Sequence, residues 1–434
     1  MNKKPKKMKH HPTTAQTIAA AKYDISKDKI NPDALYVIQK LQKNGFDAYI
    51  VGGGIRDILL GKTPKDFDIV TNATPEEVCK VFKRNSMMIG RRFKIVHVTF
   101  HNINPEKMVN NRPIIERHVL EVSTYRSAEV HQKSLNVHGK IMSDNNYGTQ
   151  DEDAHRRDFT VNALYYDPVK EVIIDYHNGL QDIRALHLRL IGDPELRFSE
   201  DPVRMLRAIR LSVKLGLTID TAIMEQFKAT KELLLHEHSG RMYEEMLKFL
   251  LSGHAAACIR KLKKLDLPKG VFPLFDKLFF KSKPDPLGLN IIEKTDLRLQ
   301  ETSDISTVFI LTGLLWSTIY TAWQKLLKNK KYSEHEALLE AIDNNKEFAY
   351  AIGVSRHTYS SISSVWLSQL DFENPVANRV KALTNRARFR QAWHLFGARH
   401  DLHQVSDTAY NWWKNYIEAD GDEATQHELL SQLQ

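Results

Sequence analysis

Cysteine is nearly missing from this chain: Cys79 and Cys258 are the only two among 434 residues. They do not form a CxxC pair, which excludes a zinc ribbon and a disulfide framework and points to a reducing compartment, the cytoplasm. Long apolar runs are missing too. The nearest, residues 305–323, is uncharged but holds six serines and threonines, whereas a membrane span needs about 20 predominantly apolar residues. It reads as a buried helix of a bundle, and no membrane partner is expected. The basic run Lys3-Lys4-Pro5-Lys6-Lys7-Met8-Lys9 has no apolar core after it, which excludes a secretory signal. It reads as a solvated tail over residues 1–23, or as a basic arm for a polyanion. No internal repeat stands out.

What is present is globular. An apolar fraction of 42% argues against general disorder, and the length implies roughly two to four domains. A net charge of +9 favours a polyanionic partner. Residues 49–71 stand out, reading as strand, glycine turn, short helix, turn and strand. Asp66 and Asp68 fall two apart in the second strand, so they share one face while Phe67 and Ile69 share the other. Two carboxylates on an exposed face suit a pair of divalent cations. Gly53 and Gly54 let the backbone approach phosphate, and the helix N-terminus behind them favours negative charge. Arg56, in that first turn, can fork onto phosphate oxygens.

The rest of the N-terminal half alternates strand and helix signals. Residues 12–30 read as a polar lead-in. Asn31-Pro32 opens a helix that ends before Gly45, with Leu35, Ile38 and Leu41 as its stripe. Thr74-Pro75-Glu76-Glu77 carries a cap, a first-position proline and a capping-box glutamate. Strands are expected over 86–100 and 114–126, with a polar hairpin insertion at 101–117. Glu121 is either a third carboxylate for the metals or an exposed strand residue. Residues 127–150 read as a loop whose His131 and His138 are solvent-exposed or ligands. From Asp151 the pattern turns helical, placing Arg157, Asp158 and Asn162 as neighbours. There arginine suits triphosphate, and Asp158 and Asn162 suit ribose hydroxyls; a salt-bridged surface helix is the alternative. Val172–Tyr176 is a last strand. Asp201, Arg204 and Arg207 step along one helical ridge, either as an acid and bases that read a nucleobase edge or as an intrahelical salt bridge.

Beyond Gly216 the pattern is helical, over about 220–234, 240–252, 254–265, 305–328, 333–353, 355–371, 376–398 and 406–418. The proline-rich interval Pro268–Pro286 reads as a boundary. Residues 379–399, with Arg379, Lys381, Arg386, Arg388, Arg390, Trp393 and Arg399, form a basic-aromatic stretch suited to an RNA backbone or to a solvated helix face. The acidic end, from Glu418, reads as a solvated tail.

Val51-Gly52-Gly53-Gly54-Ile55-Arg56-Asp57 with Lys65-Asp66-Phe67-Asp68, then Arg156 to Leu164, then Glu200 to Arg204 with Arg207, together resemble the class II nucleotidyltransferase superfamily. This group contains the tRNA CCA-adding enzymes and bacterial poly(A) polymerases. The resemblance is close over about residues 24–250. It implies an α+β protein: a polymerase β-like head with a small mixed sheet (24–185), then an elongated all-α neck (186–268) and body (269–418), and an acidic tail. Asp66, Asp68 and Glu121 would hold two Mg2+ ions, with Asp158 completing the acidic centre. Gly53, Gly54, Arg56 and Arg157 would position the triphosphate of ATP. Asp158 and Asn162 would read the ribose, and Asp201, Arg204 and Arg207 the base.

Ile89-Gly90-Arg91-Arg92-Phe93-Lys94-Ile95-Val96-His97-Val98 is similar to the segment that marks poly(A) polymerases. Two features depart from the family: the insertion at 101–117 is longer, and the arginine-rich C-terminal tail is absent. The implied activity is template-independent addition of AMP to single-stranded RNA 3′ ends by a monomer, with RNA-degradation or RNA-chaperone partners. Alternatives are a CCA-adding enzyme and a non-catalytic RNA-binding protein on the same fold. The intact aspartate pair opposes the last, since like charges side by side are costly without a use.

Overall fold

The computed structural model describes residues 14–90, 94–109, 112–127, 146–301, 305–328 and 331–433, with backbone alone over 103–109 and 112–115. The basic N-terminal run, Arg91–Phe93, His131 and His138 lie outside the described residues. The chain forms two compact units. The first runs to Ala208 and takes in Gly216–Thr230; the second takes in Ile209–Leu215 and everything from Lys231.

The first unit is built on an eight-stranded mixed sheet. Its strands are β1 (Gln16–Ala19), β2 (Ala48–Val51), β3 (Asp68–Thr71), β4 (Ser86–Ile89), β5 (Ile95–Val109), β6 (Arg112–Thr124), β7 (Leu164–Asp167) and β8 (Val172–Asp175). They lie in the order β1-β8-β7-β2-β3-β6-β5-β4. Every neighbouring pair is antiparallel except β3 and β6, which run parallel.

Helix α1 (Pro32–Lys43) starts where Asn31 accepts a hydrogen bond from the Asp33 N–H at 2.8 Å, with Pro32 behind it. Its buried stripe is Ala34, Val37, Ile38 and Leu41, with Leu35 at the edge. Burial of each larger side chain stabilises by about 1.5–3 kcal/mol. Gly45, at φ 83°, ends the segment in a conformation that a side chain would resist. Helix α2 is Gly53–Leu59, and α3 (Pro75–Phe82) carries the expected Thr74/Glu77 capping box.

Three expectations change or sharpen here. The hairpin expected at 101–117 is present but continuous with its flanking strands, because β5 and β6 pair through it. That hairpin is tied to α1: Asp33 Oδ2 accepts from Asn102 at 3.0 Å and lies 2.8 Å from His118 Nδ1. The polar lead-in contributes edge strand β1, which pairs with β8. The helical reading of 151–164 holds only for α4 (Gln150–Arg156). Phe159, fully buried, bridges to Leu190, and Leu164–Asp167 enters the sheet as β7. Sheet pairing and burial of Phe159 override the local i,i+4 pattern.

Helices α5 (Gly179–Arg184), α6 (Pro194–Glu200) and α7 (Val203–Leu215) follow; residues 203–208 of α7 group with the first unit and 209–215 with the second. Helices, the end of α7 among them, make up the second unit. The Pro268–Pro286 interval is not a plain linker, since Pro273 opens a helix over Pro273–Leu278 and Pro286 opens another over Pro286–Glu301. First-turn proline costs no hydrogen bond. The stretch expected as one helix over 376–398 is two, Ala377–Thr384 and Phe389–His400. The acidic end is not only a tail: Glu423–Ser431 is helical, capped by Asp422, and the Leu429 carbonyl accepts from Trp412 Nε1 at 3.2 Å. The uncharged run forms Thr307–Leu327, with Trp316 and Trp323 buried. Among the described residues, no helix is long and apolar enough to cross a membrane.

Candidate active site

The site starts at the turn between β2 and α2. Gly52 has φ 77° and ψ −135°, a conformation open to glycine, and a Cβ there would lie 3.6 Å from Asp68 Oδ2. Register puts Val51 opposite Asp68. Strand β3 begins at Asp68, so Asp66 precedes the strand rather than lying in it. The alternation nevertheless survives: Asp66 and Asp68 are exposed, while Phe67 and Ile69 are buried. Two residues beyond Asp68, Val70 enters a buried cluster with Tyr49, Val51, Tyr125, Ala154 and Tyr165, which anchors the strand behind the carboxylates.

Because Ile69 pairs with Val122 on β6, Asp68 and Glu121 stand side by side. The Glu121 carboxylate is exposed and lies 3.5 Å from His97 Nε2 across the β5–β6 pair. Loss of water around Asp68, then the charges of Glu121 and Asp66, push its carboxyl above the usual range, against the pull of Arg157. Three carboxylates therefore repel one another in one place. Among the described residues no set of three or more His, Cys, Asp or Glu closes into a metal cage. An open set of carboxylates fits Mg2+, which is bound by one or two protein carboxylates plus substrate phosphates.

The glycines also have a packing role. A Cβ on Gly53 would come within 3.2 Å of Arg56 Nη2, and one on Gly54 within 3.2 Å of the Asp66 carbonyl oxygen and of the Phe67 ring. Their smallness seats α2 against the aspartate turn and makes room for Arg56. Arg56 does not project into the open. It is 6% exposed, with Nε and Nη2 donating to Asp57 at 2.8 and 2.5 Å, and Nη1 donating to Asn162 Oδ1 at 2.6 Å.

Asn162 passes this contact on. It ends a 3-10 turn, Thr160–Asn162, and its Nδ2 donates to Asp158 Oδ1 at 3.1 Å. The same Asp158 oxygen accepts the Phe159 N–H at 2.8 Å, and Oδ2 accepts from Arg207 Nη1 at 3.4 Å. Burial alone would raise the Asp158 pKa. Arg207, Asn162, the Phe159 N–H and Arg204 outweigh it and hold the carboxyl below its ordinary value. A continuous chain of contacts, Asp57–Arg56–Asn162–Asp158–Arg207, thus links all three sequence motifs within the first unit.

Arg157 caps the end of α4 and is also engaged, donating to Asp153 at 2.8 Å and to the Tyr165 hydroxyl at 3.0 Å. Burial opposes its charge, but Tyr165 and Asp153 hold it more firmly protonated than usual. Arg204 is buried rather than displayed on a ridge, with Nη1 donating to the Arg197 carbonyl at 2.6 Å and to Glu200 at 3.1 Å. Asp201 accepts the Val203 N–H at 3.2 Å and starts α7. Arg197 in turn donates to the carbonyls of Arg156 and Arg157 at 2.7 and 2.6 Å. Burial and the neighbouring Arg204 bring its pKa down to about 10.

Sequence reasoning missed Asp57, Asp153, Tyr165 and Arg197 as supports. Asp153 was findable, since it precedes Arg157 by four residues on a helix; Tyr165 and Arg197 carry no local signal. In the second unit, Arg399 leaves the basic-aromatic stretch. It is fully buried, paired with Glu373 at 2.6 Å and stacked over Trp316 at 4.6 Å.

Comparison with known proteins agrees with this arrangement. Three family models match: "Poly A polymerase head domain" over residues 48–189, "Probable RNA and SrmB- binding site of polymerase A" over 216–279, and "Polymerase A arginine-rich C-terminus" over 330–434. The last covers the C-terminal part of this chain, whose residues 401–434 nevertheless hold no arginine. Poly(A) polymerase I of Haemophilus influenzae is 33% identical over 94% of this chain and 89% of its own. Its counterpart from Escherichia coli O6:H1 is 32% identical over 92% and 85%. A CCA-adding enzyme of Lactobacillus helveticus is 34% identical but over only 51% of this chain and 50% of its own. A solved CCA-adding enzyme in apo form II superposes with a TM-score of 0.55 at 19% identity, over 94% of this chain and 87% of that one; this shows the shared fold alone. With poly(A) polymerase I relatives matching nearly end to end, the chain belongs to the poly(A) polymerase I family of nucleotidyltransferases.

Proposed function

We propose that this enzyme extends single-stranded RNA 3′ ends with AMP from ATP, without a template, in the cytoplasm. The observation that carries the reading is the open group of Asp66, Asp68 and Glu121 beside the contact chain that ends at Asp158 and Arg207. In the reaction the RNA 3′ oxygen bonds to the α-phosphorus, the bond from that phosphorus to the bridging oxygen breaks, and pyrophosphate leaves. Asp66 and Asp68, with Glu121 beside them, would hold two Mg2+ ions. When bound, these supply charge neutralisation to the triphosphate and ease loss of the 3′-hydroxyl proton.

The protein's own residues do the positioning. Gly52 to Gly54 keep α2 tight against the aspartate turn, and Arg56, clamped by Asp57, fixes Asn162. Asn162 and Arg207 keep Asp158 ionised and aimed, which suits a carboxylate that accepts a ribose hydroxyl. Arg157, locked by Asp153 and Tyr165, supplies a fixed positive charge near Asp68, where phosphate charge would collect. Arg204 supports Asp158 electrostatically from within. We assign it, with Arg197, to positioning the start of α7, leaving Asp201 and Arg207 nearest to any base.

The partial match to a CCA-adding enzyme supports a second reading, with the same chemistry and a different stopping rule. Purified protein, labelled RNA, Mg2+ and each nucleotide supplied alone separate the two. Long heterogeneous products with ATP alone support the proposal. Short products on tRNA lacking CCA, requiring CTP and then ATP, overturn it. No extension with RNA binding retained would leave a non-catalytic RNA-binding protein.

A further inference from the structure

The row of side chains that begins at Asp68 does not stop at Glu121. Register places His97 of β5 opposite Glu121, and Met87 of β4 opposite His97. Residues directly opposite one another share a face of the sheet. Asp68, Glu121, His97 and Met87 therefore follow one another across it at strand spacings of about 4.8 Å. Val96, Val98, Leu120 and Val122, which alternate with them, are buried on the other face. Met87 is 56% exposed and leaves the outer end of the row open.

His97 is the unexplained member of this row. Its Nε2 is enclosed and has no hydrogen-bond partner among the described residues, although Glu121 Oε1 lies only 3.5 Å away. A pair built for stability alone closes up: on the same hairpin, His118 Nδ1 sits 2.8 Å from Asp33 Oδ2. Buried polar groups are almost always satisfied, so an orphaned ring nitrogen beside the reacting centre marks a place for a substrate atom. The Glu121 side chain is exposed over half its surface and can turn to admit a hydroxyl between itself and His97. That hydroxyl would accept from the Nε2–H and donate to the carboxylate.

The order of the strands indicates whose hydroxyl it is. Gly52 to Gly54 and Arg56 follow β2, while Arg157, Asp158 and Asn162 precede β7. Strands β7 and β2 lie together on one side of β3, and β6, β5 and β4 lie on the other. The residues assigned to ATP thus come from the β2 side of the aspartates, which leaves the β6 side for the RNA 3′ end. With its 3′ oxygen at Asp68, a terminal ribose carries its 2′ oxygen on the neighbouring carbon, one step further along the row.

We propose that His97 and Glu121 bind the 2′-hydroxyl of the 3′-terminal nucleotide of the RNA, which makes His97 the residue that tells an RNA end from a DNA end. The inference rests on the reading that the enzyme extends RNA at Asp66 and Asp68. It concerns the ribose of the primer, not that of ATP, which is assigned to Asp158.

The test uses the full chain, Mg2+, ATP and two oligoadenylates that differ only in their last nucleotide, adenosine or 2′-deoxyadenosine; both keep the 3′-hydroxyl. Wild type should extend the ribose-ended primer with a kcat/KM about tenfold higher, the effect of roughly one hydrogen bond. His97→Phe keeps a ring without a donor. It should lose about tenfold on the ribose-ended primer, change little on the deoxy-ended one, and keep the wild-type preference for ATP over dATP. His97→Gln, whose amide N–H can take the place of Nε2–H, should recover part of the discrimination between primers. If His97→Phe slows both primers equally, or His97→Gln discriminates no better than His97→Phe, the ring only packs and the proposal is overturned. Should His97→Phe not fold, wild type and His97→Gln still decide. Equal extension of both primers by wild type overturns this proposal and leaves the poly(A) reading standing. If wild type extends neither primer, both fall.

Discussion

Asn162 is the joint of the contact chain, and Asn162→Ala tests it directly. The substitution removes the acceptor at 2.6 Å from Arg56 Nη1 and the donor at 3.1 Å from Asp158. Each is a hydrogen bond to a charged group, worth about 1.5–3 kcal/mol. Arg56 is 6% exposed, so water replaces the lost acceptor poorly. Because the two bonds share one side chain their losses do not simply add, and we expect about 3–4 kcal/mol. For a unit of this size that is a fall of about 6–16 °C in its melting temperature. Asp158 also loses one of its orienting donors, and the preference for ATP over dATP should drop at least about tenfold, equivalent to about 1.4 kcal/mol.

Asn162→Asp makes the opposite control. It keeps an acceptor for Arg56 but places a second carboxylate against Asp158, a repulsion of up to about 4 kcal/mol at the effective dielectric of such sites. It should therefore lose ribose selectivity as badly or worse. Thermal melts and primer extension with ATP and dATP read both effects. If Asn162→Ala melts within about 1 °C of wild type and keeps its ATP/dATP ratio, the linkage between the motifs is refuted.

Four further outcomes are expected. Asp66→Ala should abolish extension while oligoadenylate affinity stays within a few-fold; retained extension removes the carboxylates from the chemistry. Gly52→Ala should cost about 1–3 kcal/mol for backbone strain at positive φ, since the added Cβ meets nothing closer than Asp68 Oδ2 at 3.6 Å; denaturant melts with unchanged midpoint would contradict this. Gly179→Ala should be worse, because its Cβ would sit 2.3 Å from the Thr160 carbonyl and displace the turn that carries Asn162; wild-type stability and activity together would disprove it. Arg207→Gln should raise the Asp158 pKa toward its unpaired value. A carboxyl with a depressed folded pKa stabilises above its unfolded value of about 3.9 and loses that as pH falls through the folded pKa. The stability gap between wild type and Arg207→Gln should thus be full at neutral pH and shrink below about pH 4; an equal gap at both ends would rule out the Asp158 contact as its source.

The local grammar of the chain was legible without coordinates. Asn31-Pro32, the Thr74/Glu77 capping box, the glycine turn and the exposed–buried alternation from Asp66 to Ile69 all rest on interactions within about four residues, so sequence alone determined them. The motif order also identified the family that the relatives share. Tertiary structure decided the fate of the charges. Arg56 finds Asn162 106 residues away, and Asp158 finds Arg207 49 residues away. Asp68 meets Glu121 only because β3 and β6 pair in parallel at Ile69 and Val122. An arginine in a sequence carries its charge but not its partner. Burial fixes whether that partner is a substrate phosphate or a neighbouring carboxylate, as Arg56, Arg157, Arg204 and Arg399 show, and burial is a property of the assembled sheet and helices.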